Sequence, residues 1–94
     1  MLIIAGWLRV SPQGRDAYVA ECVPIVEAAH RADGCLDFAI TADSVRPDRV
    51  NVYERWESDE LLHRFRDSGP EGAQQDRILA AEVHKYRISG VEAP

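Results

Sequence analysis

Ninety-four residues supply one hydrophobic core and no more, so the chain reads as a single domain over 1–94. Hydrophobic residues make up 46% and charged residues 29%, values of a folded globular chain rather than a disordered one. A formal net charge of −5 argues against non-specific binding to nucleic acid or to an anionic membrane surface.

The N-terminal run Met1-Leu2-Ile3-Ile4-Ala5-Gly6-Trp7-Leu8-Arg9 has no basic start, long apolar stretch or small-residue cleavage site. No segment is apolar enough to span a bilayer, and a cytoplasmic protein is expected. A first strand is predicted over Leu2 to Val10. Leu2, Ile4, Leu8 and Val10 share one parity and Ile3, Ala5, Trp7 and Arg9 the other, and both are largely apolar. Such a strand needs cover on both faces, one from the domain's own helices and the other from a partner subunit.

Ser11-Pro12 opens a helix, with Ser11 as N-cap and Pro12 at the first helical position. Tyr18, Cys22, Ile25, Val26 and Ala29 recur at helical spacing and form its inward stripe up to about Ala32. Pro24 predicts a kink, and Asp33-Gly34 an end. The second strand is predicted over Cys35 to Thr41 with Leu36, Phe38 and Ile40 on one face. Cys22 and Cys35 form no CxxC pair and are expected as reduced thiols.

Ala42 to Asp48 is a polar, proline-containing hairpin loop. The third strand, Arg49 to Glu57, sets Val50, Val52, Glu54 and Trp56 on one face and Asn51, Tyr53 and Arg55 on the other. Ser58 caps a second helix carrying Leu61, Leu62 and Phe65, and Ser68-Gly69-Pro70 breaks it. A further helical piece is predicted over Glu71 to Ala81, with Ile78 and Leu79 inward, and then a last strand from Glu82 to Ser89. The order β-α-β-β-α-β is the split βαβ pattern of a ferredoxin-like α+β domain with an antiparallel sheet. Its uncovered sheet face calls for a second copy.

No Walker loop, dinucleotide fingerprint, HExxH or nucleophile elbow is present, so no ATP, nicotinamide or metal site is expected. Three segments carry a resemblance instead. They are Ile3 to Val10 running into a proline-containing helix start, Gly34-Cys35-Leu36-Asp37-Phe38, and Val52-Tyr53-Glu54-Arg55-Trp56-Glu57-Ser58-Asp59-Glu60. Together they make the chain similar to the antibiotic biosynthesis monooxygenase family over nearly its whole length. The resemblance implies a homodimer whose sheets pack face to face, a dimeric α+β barrel, with a pocket between helices and sheet. It also implies oxidation of small aromatic phenols or quinols of polyketide type by O₂, with no metal, flavin or other cofactor. A haem-degrading relative would be expected to carry an asparagine early in the first strand and a histidine about ten residues after the tryptophan. This chain has Gly6 and Trp7 at the one place and Arg66 at the other.

Oxygenation of this kind needs a dry pocket, a proton acceptor and donors that stabilise a phenolate. Trp56, at the family's aromatic position, is a candidate to stack on the ring, and Asn51 to bind a substrate oxygen. His63 is a candidate proton shuttle, although the family's helix histidine falls about two positions later, where this chain has Phe65. Tyr18, Phe38, Phe65 and Arg77 are candidate substrate contacts, Arg77 as the cation for a phenolate. Each residue also has an ordinary structural role open to it, in the core or on a solvated surface. The alternatives to a monooxygenase are a ligand-binding or interaction protein of the same dimeric fold, and a polyketide isomerase or cyclase.

Overall fold

The computed structural model describes residues 1–68 and 75–94. Its elements are β1 (Leu2–Arg9), α1 (Arg15–His30), β2 (Cys35–Ala42), β3 (Arg49–Trp56), α2 (Asp59–Ser68), a 3₁₀ turn Gln75–Arg77, and β4 (Ala80–Arg87). The strands form one antiparallel sheet in the order β2-β3-β1-β4, the ferredoxin-like arrangement. In its register Leu2 lies opposite Trp56 and Ile4 opposite Glu54 on β3, with Arg87 and Lys85 across from them on β4.

Both helices lie on the face that carries Leu2, Ile4, Phe38 and Trp56, and these pack with Val26, Ala29, Leu62 and Phe65 into the larger core cluster. Val10, Tyr18, Cys22 and Val50 form a second cluster at the other end of the same face. The opposite face carries Ile3, Ala5 and Trp7 on β1, Asn51, Tyr53 and Arg55 on β3, and His84 and Tyr86 on β4, none of them fully buried.

Gly34 joins β2 to the end of β3 and to α2. Its φ of +81° is left-handed, and its carbonyl accepts the Glu57 N–H at 2.8 Å. A side chain here would put a Cβ 2.7 Å from Leu61 Cβ. α2 starts as its sequence dictates, with Ser58 Oγ accepting the Leu61 N–H at 3.3 Å. Lys85 and Arg87 both pair with Asp59 in its first turn, tying β4 to that helix and holding the Asp59 carboxyl well below the usual range. Both cysteines are free thiols.

Three expectations are corrected. Ser11 does not cap α1: its hydroxyl donates to Gln13 Oε1, the stretch to Gly14 is a turn, and the helix begins at Arg15 with Gly14 as N-cap. It then runs unbroken through Pro24, whose ring sits on the solvent side. Leu36 does not join Phe38 and Ile40 inside, because a register shift between Cys35 and Asp37 turns it outward to 40% exposure. The helical piece expected over Glu71 to Ala81 falls partly outside the described residues. From Gln75 it is one 3₁₀ turn, after which Leu79 gives its N–H to the Arg9 carbonyl at 2.8 Å and leads into β4. Ile78 packs inward as expected, but Leu79 is 61% exposed.

Candidate functional site

Alternation along β3 sends Glu54 and Trp56 to the helix face together. Trp56 is fully buried. Its indole N–H donates to Glu54 Oε1 at 2.9 Å, as a buried indole requires a partner. Phe65 from α2 lies against the indole with ring centroids 5.4 Å apart, and Phe38 from β2 meets Phe65 edge-on at 6.0 Å. Three of the predicted contacts thus form one aromatic wall. Glu54 rises beside it between Ile4 of β1 and Phe38 of β2, its register partners. Burial pushes the Glu54 carboxyl up, against the Trp56 hydrogen bond and the positive charge of Arg66.

At the other end of this face the structure brings Tyr18 and Arg77 together. The guanidinium lies 5.4 Å from the centre of the Tyr18 ring and pairs with Glu21 at 2.7 Å. A cavity of about 170 Å³ opens beside them, lined by Val10, Ser11, Gly14, Asp76 and Leu79 as well as Tyr18 and Arg77. Tyr18 also contacts the buried Cys22 thiol, and burial pushes both the phenol and the thiol up.

Asn51 and His63 do not join either group. Asn51 is on the opposite sheet face, where its carbonyl accepts Arg49 Nε at 2.8 Å and its amide donates to Asp43 Oδ1 at 2.9 Å. That network, with backbone N–H groups of Arg46 and Val45, lowers the Asp43 carboxyl to about 2. Arg49 in turn sits 5.6 Å from the Trp7 ring centre. His63 is exposed on α2, two positions and so about 200° from the inward Phe65. The expected site therefore keeps Tyr18, Phe38, Trp56, Phe65 and Arg77 on one face. Within one chain, Asn51 cannot reach a ligand bound there.

A family model described as antibiotic biosynthesis monooxygenase matches residues 1–77. The chain belongs to that family. Solved structures agree in fold. A Chloroflexus aurantiacus protein assigned to the antibiotic biosynthesis monooxygenases is 30% identical with a TM-score of 0.68, over 97% of this chain and 96% of that one. One from Nitrosomonas europaea, with the same assignment, is 14% identical with a TM-score of 0.81, over 96% and 100%. A haem-degrader from Mycobacterium tuberculosis, with two haems bound in its active site, is 14% identical with a TM-score of 0.69, over 99% and 100%. A comparison with curated proteins gives no match. Among the described residues no helix is long and apolar enough to cross a membrane.

Glu54 is the residue that the sequence alone did not single out. The signal was available, since it shares the parity of Trp56 on β3 and stands in an otherwise apolar row of Val50, Val52 and Trp56.

Proposed function

We propose that this chain is a cofactor-independent monooxygenase of small phenols or quinols, working as a homodimer through the uncovered sheet face. The observation that carries it is the helix-facing side of the sheet. It holds an aromatic wall at one end, and at the other an arginine over a tyrosine beside an apolar cavity. Tyr18 would hold a flat ring in that cavity with Arg77 on its phenolate oxygen, and Phe38 and Phe65, backed by Trp56, would flank the far end of a longer polyketide-like substrate. Asn51 would brace Asp43 and Arg49 where a second copy lies, and His63 would exchange protons with solvent. The net reaction is phenol plus O₂ giving quinone plus water. One oxygen atom enters the ring as a carbonyl, the other leaves as water, and the ring carbon and phenol hydroxyl each give up one hydrogen.

Aerobic turnover of a naphthol and hydroquinone panel by metal-stripped protein, followed by O₂ uptake and product mass under labelled dioxygen, tests this. The expected product contains one labelled oxygen, and Arg77→Ala and Phe65→Ala slow its formation at least tenfold. No uptake across the panel, or peroxide release with unlabelled product, would refute it. The complete burial of Trp56 favours a second reading, a ligand-binding dimer without turnover. Naphthol binding with no oxygen consumed would select that reading.

A further inference from the structure

We infer that the cavity beside the β2–β3 loop, at the end of the sheet face away from the helices, binds a small planar aromatic anion such as an aryl carboxylate. This site is separate from the Tyr18–Arg77 cavity and does not depend on the oxygenase function proposed above. The cavity has a volume of about 240 Å³ and is lined by Trp7, Arg9, Arg46, Asp48 and Arg49. That is below the ~300–1,000 Å³ of sites for drug-sized ligands and suits a molecule of one or two rings.

Positive charge is concentrated there. Three arginines converge on one cavity in a chain whose formal net charge is −5. Arg9 and Arg49 are direct partners across β1 and β3, and like charges placed opposite each other destabilise a sheet. Asp43 answers Arg49 at 3.6 Å, and Asp48 is the one acidic residue of the lining. Among the described residues the Arg9 and Arg46 guanidinium groups have no carboxylate partner within ion-pair distance. A bound anion would relieve this repulsion, and a guanidinium holds a carboxylate through paired N–H bonds.

The walls suit a flat ring. The Trp7 indole is half-buried on the lining, with the Arg49 guanidinium 5.6 Å from its centre. An aromatic ring beside them meets an apolar surface and a cation at once. The loop that carries Arg46 is also held in place before any ligand arrives. Arg15 reaches across from α1 and donates to the Arg46 and Arg49 carbonyls at 3.0 and 3.2 Å. Asp43 Oδ2 accepts the Val45 and Arg46 N–H groups at 3.0 and 2.8 Å, and Asn51 links Asp43 to Arg49. The Val10 N–H donates to the Asp48 carbonyl at 2.9 Å. A loop fixed in this way has little freedom left to lose on binding.

Isothermal titration calorimetry at low salt, with 2-naphthoate and with inorganic phosphate as probes, tests this on the wild-type chain and its variants. Wild type should bind 2-naphthoate about tenfold or more tighter than phosphate. Arg9→Gln combined with Arg46→Gln should weaken 2-naphthoate binding about tenfold or more, and Trp7→Leu severalfold, while Arg64→Gln on α2, a charge control, should not change it. Arg9 and Arg46 are exposed, so the double variant should melt with the wild type. Equal affinity in the double variant and wild type, or affinity lost in Arg77→Ala instead, would overturn the assignment. Phosphate binding as tight as 2-naphthoate would overturn it too, since no ring would then be recognised. So would absence of 2-naphthoate binding by wild type; if the double variant then also loses the dimer in sedimentation velocity, the cavity belongs to acidic side chains of the second copy. None of these outcomes alters the O₂ uptake expected with the phenol panel.

Discussion

Replacing Gly34 by alanine perturbs the junction of β2, β3 and α2 at one point, and its cost has two separable parts. A left-handed backbone costs an ordinary L-residue about 1–2 kcal/mol. The new Cβ would sit 2.7 Å from Leu61 Cβ and closer still to its Cδ1, and overpacking of this kind costs about 1–3 kcal/mol. A total near 3 kcal/mol is a large share of the ~5–15 kcal/mol that holds a domain together. For a chain of this length it corresponds to a fall in Tm of about 12–24 °C. Thermal and urea unfolding of Gly34→Ala, Leu61→Ala and the double variant would resolve the two parts. Leu61→Ala removes the atoms beyond Cβ, so the double variant should be less destabilised than the sum of the singles by about 1 kcal/mol or more. A Tm change under about 4 °C for Gly34→Ala, or strict additivity in the cycle, would refute the steric part of the argument.

Other outcomes follow from the same contacts. Leu36→Ser should cost under about 1 kcal/mol in urea unfolding, because the bulge has turned that side chain outward, whereas Phe38→Ala two positions on should cost about 3–5 kcal/mol. Asp43 is depressed to about 2 in the folded chain, so it contributes stability above the ordinary aspartate value near ~4, lost as pH falls from there toward 2. Asp43→Asn should therefore lose less stability than wild type over that window, and parallel urea midpoints against pH would contradict this. Glu54 has the opposite sign. Its raised value means that the stability it contributes is complete below about pH 4 and lost as pH rises through the folded value. Glu54→Gln should accordingly gain Tm over wild type at neutral pH and not in acid, as differential scanning fluorimetry would show.

The strand order and both helices were legible because the apolar rows of β1 and β3 and the inward stripe of α1 are long enough to fix period and face. The separation of Asn51 from Trp56 was legible too: five residues is an odd spacing, and a strand with period two sends such a pair to opposite faces. What local pattern could not supply were features decided by distant partners. The bulge that expels Leu36 depends on how β2 meets β3. The exposure of Leu79 depends on the Arg9 carbonyl capturing its N–H. The pairing of Arg77 with Tyr18 is long-range in the same way, joining residues 59 apart in sequence.

The two free thiols report on different parts of the molecule. Cys22 is 1% exposed between α1 and the sheet, while Cys35 is half-buried where β2 begins. A small disulfide reagent would reach Cys35 through fraying of one strand end but Cys22 only after α1 lifts from the sheet. Mass spectrometry of a single timed labelling reaction would thus give two opening rates from one native chain, with no fluorophore or engineered residue needed.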